Sequence, residues 1–167
     1  MRQPRLLKCA ILAFKTALDW HLRSSRKTQN MSLQNLTIKS QEILQQAQQL
    51  AYNAGHASIE TEHILKALLN DKDSPVEFLL KKNNVNLNYV DDKLDEALQK
   101  LARVSGGEPA QALSREANNV LLRSGAVLKT FNDEFVSVEH LLLSIVQGSD
   151  NTAKILKDAG LTEKGLV

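Results

Sequence analysis

The sequence predicts an all-α fold: two tandem four-helix repeats related by a pseudo-twofold axis, with the last helix truncated. Three observations carry this. A short block occurs twice, as Ile59-Glu60-Thr61-Glu62-His63-Ile64-Leu65 and as Val136-Ser137-Val138-Glu139-His140-Leu141-Leu142, 77 residues apart. The same offset pairs Leu36 with Leu113, Thr37 with Ser114, Ile43 with Val120, Leu44 with Leu121 and Leu50 with Val127, which is the mark of a duplicated unit. The chain is 43% hydrophobic but only 4% aromatic, and its abundant Leu, Ala, Gln, Lys and Glu suit packed helices better than sheets.

The elements follow in order. The first helix is expected from Thr37 to Ala54, with Ile43, Leu44, Ala47, Leu50, Ala51 and Ala54 spaced by threes and fours and Gly55 as the stop. The second runs from Thr61 to Asn70, with Glu60 as its cap and Ile59 and Ile64 as a hydrophobic staple. The third opens on Ser74-Pro75-Val76-Glu77, read as an N-cap, a first-turn proline and the Glu of a capping box, and ends near Asn83-Asn84. The fourth covers Leu87 to Ala102, with Val90, Leu94, Leu98 and Leu101 inward. Residues 103–111, with Gly106, Gly107 and Pro109, form a linker.

The series then restarts. The fifth helix is expected from Ser114 to Thr130, with Val120, Leu121, Ser124, Val127, Leu128 and Phe131 along one stripe. The sixth runs from Val138 to Gln147, with Ser137 as cap and Val136 and Leu141 as staple. The seventh covers Thr152 to Ala159 and stops at Gly160. Thr162 matches the cap Asn86 of the fourth helix, so an eighth helix is started and left incomplete at Val167. The organisation is therefore an extension, 1–30, and a double repeat, 31–167, made of repeat 1 (35–102), the linker (103–111) and repeat 2 (112–167).

Composition narrows the function. Residues 1–30 hold seven Lys/Arg and one acid, net +6, whereas residues 31–167 hold 14 and 18, net −4. A nucleic-acid reader needs a basic face on its folded part, and this one is mildly acidic; a helical transcription regulator is disfavoured on that ground. The extension reads as an upstream start, with Met31 opening the repeat, or as a basic targeting or anchoring helix lined by Leu6, Leu7, Ala10, Phe14, Ala17 and Leu18. The single cysteine, Cys9, excludes an internal disulfide framework and suits a reducing, cytoplasmic setting. No apolar run reaches membrane-spanning length.

The pattern has a family likeness. Leu36-Thr37-Ile38-Lys39-Ser40-Gln41, the two Glu-His blocks, Asn132-Asp133-Glu134-Phe135 and Ile155-Leu156-Lys157-Asp158-Ala159-Gly160 together resemble the amino-terminal domain of Clp ATPases, most closely that of ClpB-type disaggregases. The likeness covers Asn35 to Leu166. It implies a module without covalent chemistry, which touches unfolded or aggregated polypeptide, sometimes adaptors, and serves a hexameric AAA+ ring. Adaptor docking for a Clp protease and a stand-alone Clp amino-terminal protein are the alternatives. The resemblance implies Thr37, Asp133 and Glu139 as polar positions for substrate binding, and Leu36 and Phe135 for apolar contact.

Other chemistry is not expected of this chain. The residues contain no G-x-x-x-x-G-K-[ST], so ATP and Mg are expected only in an AAA+ module absent here, and no cofactor in this chain. His63 and His140 each have a glutamate adjacent, and adjacent helical positions diverge by about 100°, unlike the ligand spacing of a metal site. Glu62 and Glu139 instead suit the positive end of a helix dipole. No serine has a histidine and an acid at a recognisable catalytic spacing, so no catalytic residue is expected.

Overall fold

The computed structural model describes residues 35–104 and 112–166, all within the unit Met31–Val167. The extension and most of the linker lie outside the described residues. Among the described residues the secondary structure is helical: α1 (Ile38–Asn53), α2 (Thr61–Asn70), α3 (Val76–Lys82), α4 (Leu87–Gln99), α5 (Arg115–Phe131), α6 (Val138–Val146), α7 (Asn151–Asp158) and α8 (Glu163–Leu166). The all-α expectation holds, and each of the eight elements stands where the repeat places it.

Two helices make the centre. In α6 every residue except Glu139 is buried, as befits a helix apolar on all sides. Its counterpart α2 buries Thr61 to Leu65, Ala67 and Leu68. α1 packs along α2, α5 packs along α6, and α2 and α6 meet in the middle. Other contacts between the halves come in matched pairs, α1 with α6 and α5 with α2, α3 with α6 and α7 with α2, whereas α4 also packs on α7. Both staples, Ile59 with Ile64 and Val136 with Leu141, lie inside one shared core.

The pseudo-twofold relation is visible atom by atom. Leu36 forms a parallel bridge with Val136, and Ile59 forms one with Leu113. Thr37 N–H donates to the Val136 carbonyl (3.0 Å), and Val136 N–H donates to the Asn35 carbonyl (2.7 Å). In the counterpart, Ser114 N–H donates to the Ile59 carbonyl (2.9 Å), and Ile59 N–H donates to the Ala112 carbonyl (2.9 Å). Adding 77 to, or subtracting it from, each residue turns one set of bonds into the other. Each repeat thus lends its entering strand to the other. The first helix stops match too: Gly55 and Asn132, 77 residues apart, are both left-handed, at φ 69° and 58°.

Several local expectations are corrected. Leu36 is 4% exposed and belongs to the core, because the bridge to Val136 turns it inward. α4 ends at Gln99 rather than Ala102, since Ala57 N–H donates to the Ala102 carbonyl and Val104 N–H to the Gly55 carbonyl, drawing the chain into an extended path. Leu98 and Leu101 are consequently only half-buried, and Arg103 and Val104 belong with repeat 1 rather than with a free linker. At α3 the Ser74 hydroxyl does accept from Val76 N–H (3.2 Å). Glu77, however, pairs with Lys81 one turn on and does not complete a capping box. Phe131 leaves the buried stripe of α5 and is 37% exposed. α7 starts one residue early because Asp150 caps it.

Two outcomes test this architecture by thermal unfolding. Leu36→Ala should cost about 2–5 kcal/mol, the range for emptying a core leucine site; Ile38→Ala, at a position 76% exposed, should change stability by no more than about 0.5 kcal/mol. Gly55→Val should cost roughly 1–2 kcal/mol from left-handed backbone strain, whereas Gly55→Asn, which copies the residue at the related stop, should cost clearly less; equal costs would contradict the backbone reading.

Candidate functional site

The expected site residues gather at one of the two crossings. Thr37 caps α1: its hydroxyl accepts from Ser40 N–H (3.2 Å) and donates to Ser40 Oγ (2.9 Å). Ser40, fully buried, passes the chain of bonds on to the Val136 carbonyl (2.8 Å). Thr37 is thereby held beside the segment Asn132–His140, which carries Asp133, Phe135 and Glu139. Phe135 is 51% exposed, and Ile38, next to Thr37, is 76% exposed. Leu36 does not join them, being core.

Glu139 sits in the first turn of α6, half-exposed, where the dipole favours its charge. Asp133 is exposed and lies 3.1 Å from His140 Nε2. Asp133, Glu134 and Glu139 lie on the same segment as Phe135, and main-chain bonds bring that segment beside the start of α1, which carries Ile38. Lys39, the nearest lysine in sequence, is not free to neutralise them, because its ammonium is 2.9 Å from the Asp71 carboxylate.

The histidines have a role that sequence reasoning missed. His140 is the third residue of α6, and its Nδ1 accepts from the N–H of the cap Ser137 (3.1 Å). His63 does the same for Glu60 N–H (2.9 Å). This is the reciprocal half of a capping box, with histidine in place of the usual Glu or Gln. The signal was the spacing of three from cap to histidine, present in both blocks. With Nδ1 accepting, the neutral ring must carry its proton on Nε2. That proton goes to Asp133 in repeat 2 and to His56 in repeat 1, and positions 56 and 133 are again 77 apart.

Ser137, His140 and Asp133 thus lie in one chain of contacts, the Ser137 hydroxyl being 3.1 Å from His140 Nδ1. The arrangement resembles a nucleophile, base and acid. Its geometry is that of a helix start: Nδ1 is already taken by a backbone N–H, and the ring is 6% exposed, packed 5.4 Å from the Phe131 ring. The related set Glu60, His63 and His56 keeps the capping geometry with no serine at all. Among the described residues no group of three metal-binding side chains converges, and no helix is long and apolar enough to cross a membrane.

The two crossings differ in what they show to solvent. Their inward positions agree: buried Leu36 with half-buried Leu113, and Ile59 with Val136, both buried. Their exposed positions do not. Ile38 corresponds to Arg115 and Phe135 to Ser58. One crossing is apolar with an acidic border, and the other is polar. α2 and α6 fill the middle of the junction between the repeats, and the opening along it lies to one side, between α4 of repeat 1 and α7 of repeat 2. A groove of about 530 Å³ does separate α4 from α7, over Ala97, Leu101 and Ile155. Lysines 93, 100 and 154 and the acids Glu62, Glu96 and Asp158 share its walls, so it has no net charge, and it contains none of the expected site residues.

Comparison with known proteins agrees with this geometry. The profile of the Clp repeat (R) N-terminal domain matches residues 35–159. A chaperone protein ClpB from Bacteroides thetaiotaomicron is 41% identical over 136 residues, covering 81% of this chain and 16% of that protein. The chain therefore spans about a sixth of that relative's length. The crystal structure of the Hsp104 N-terminal domain from Candida albicans superimposes with a TM-score of 0.68 at 20% identity, covering 79% of this chain and 86% of that one. A ClpV N-domain in complex with a VipB peptide does so with a TM-score of 0.64 at 19% identity, covering 80% and 83%. Matching buried duplications, matching crossings and a profile that spans both repeats place this chain in the family of Clp repeat N-terminal domains.

Proposed function

We propose that this domain is a non-catalytic binding module that takes unfolded or aggregated polypeptide at the Ile38–Phe135 crossing and presents it to an AAA+ ring. The observation that carries the reading is the broken symmetry. Duplication supplied two equivalent surfaces, and only one became apolar. An exposed apolar patch with a polar border suits a partner whose own apolar segments are uncovered. Ile38 and Phe135 would make the apolar contacts, with Phe131 beside them. Thr37, Asp133 and Glu139 would form the border and hydrogen-bond the passing backbone or its basic side chains. The ClpV N-domain bound to a VipB peptide supports peptide binding as a use of this fold.

Affinity of a single domain should be weak, because a disordered partner loses conformational freedom on binding. Several copies on one ring would raise it by effective concentration. Nucleotide and Mg would be handled by the ring, and the setting would be cytoplasmic. A second reading, docking of a folded adaptor, draws on the three carboxylates of the segment Asn132–His140. Contacts made by exposed charge weaken with ionic strength and apolar contacts do not.

Binding of a fluorescently labelled, permanently unfolded protein tests both readings. Ile38→Arg with Phe135→Ser installs the residues of the other crossing and should weaken binding by about tenfold or more, as expected for two lost apolar contacts. The melting temperature should stay close to the parent's, since both sites are exposed. Unchanged affinity would overturn the proposal. Raising salt from about 0.05 to 0.5 M should change affinity less than about twofold if the apolar contact dominates; a much larger loss would favour the adaptor reading.

A further inference from the structure

The same capping histidine ends in two different joints. In repeat 1, His63 Nε2 and His56 Nδ1 are 2.8 Å apart, and both rings are buried, at 1% and 3% exposure. Glu60 N–H occupies His63 Nδ1, so His63 must donate from Nε2. His56 Nδ1 must then accept, which puts the His56 proton on Nε2. That atom is buried with no hydrogen-bond partner among the described residues.

Neither ring can take a second proton in place. On His63 the only free position is Nδ1, where a proton would face Glu60 N–H. On His56 it is Nδ1, where a proton would face the His63 Nε2–H. Either way a hydrogen bond becomes a donor–donor clash. Repeat 2 is built differently around its histidine. His140 Nδ1 is likewise taken by the Ser137 N–H, but its Nε2–H meets the Asp133 carboxylate and Ser137 Oγ stands 3.1 Å from Nδ1.

The joint in repeat 1 also holds more than a helix cap. Its two ends are the α1–α2 turn and the first turn of α2. The segment leaving α4 is bonded to that turn: His56 bridges Arg103, Ala57 N–H donates to the Ala102 carbonyl (3.0 Å), and Val104 N–H donates to the Gly55 carbonyl (2.9 Å). We propose that the His56–His63 pair is an acid-sensitive latch fastening the segment that leaves α4 to the α1–α2 turn.

The surrounding charges fit. Arg103, from the segment after α4, disfavours a charged His56, adding to the effect of burial. Glu60, at the cap of α2, opposes this in part for both rings. Burial first, and then the neighbouring His56, holds His63 down to about 4. The folded joint therefore binds protons less readily than the open one. Its contribution is complete above the ordinary histidine value near 6.5 and is lost as pH falls toward 4.

The test is a pH titration of the isotope-labelled chain by NMR, following amide signals. Between about pH 6.5 and 4, those of residues 55–58 and 102–104 should shift or broaden together. His56→Asp imports the acceptor of repeat 2 and should keep the first set in place over the same range; His56→Asn offers His63 a neutral carbonyl oxygen and should do so in part. Parent signals of 55–58 and 102–104 that stay unchanged down to pH 4, or a His56→Asp chain as acid-labile as the parent, would overturn the proposal. The parent titration decides even where a variant folds poorly, and it does not depend on whether the Ile38–Phe135 surface binds polypeptide.

Discussion

The structure depends on a double crossing of backbone. The strand before α1 bonds to the strand before α6, and the strand before α5 bonds to the strand before α2. Each repeat is thereby closed by a residue of the other, Leu36 over repeat 2 and Leu113 over repeat 1. Main-chain bonds of this kind fix direction and register, which apolar contact alone does not. They settle which residues point inward at the crossings, and they carry Thr37 to the segment that bears Asp133, Phe135 and Glu139. A shared core then follows, because α2 and α6 can bury their full circumference only when both halves are in place.

Against that fixed frame, divergence is informative. After duplication most large buried pairs stayed apolar, since a change of even one methylene is felt in a packed core, while Ser40 with Ala117, Ala47 with Ser124, Thr61 with Val138 and Ala67 with Ser144 exchange one small buried group for another. The exposed pairs were free to drift. Ile38 and Phe135 face Arg115 and Ser58 at the related positions, and His56 faces Asp133. The first difference separates an apolar surface from a polar one. The second separates a joint of two facing histidines from one in which a histidine meets a carboxylate. Both arise at positions related by the repeat, and His56 is further set apart by the bonds from its turn to the segment after α4.

Much of the architecture was legible in the residues. Helix positions followed from apolar spacing and the cap Ser137 from its hydroxyl, whereas Thr37 and Ser114, read as the first residues of their helices, are caps as well. The repeat told which helices are equivalent. What failed was local and had a physical cause. The end of α4 was misjudged because hydrogen bonds to the α1–α2 turn override the helical preference of Leu101 and Ala102. Glu77 was misjudged because Lys81, one turn away, competes for it. Leu36 was given to the surface, although its repeat partner Leu113 also leads into a bridge. Ile38 was overlooked, although it falls off the stripe of Ile43, Ala47 and Ala51 and corresponds to an arginine. The histidine caps were hidden because the pair Glu-His drew attention to neighbours in sequence, whereas the partner of each histidine lies three residues back.

If the crossings govern the fold, the two halves share one stability. Urea unfolding of the chain near pH 7, followed by amide signals in both halves, measures this directly: residues of α2 in one, residues of α6 in the other. Coincident loss of both sets at one midpoint is the result that interlocked repeats require. Two separated midpoints, with either half retaining its native signals after the other has lost them, would contradict it.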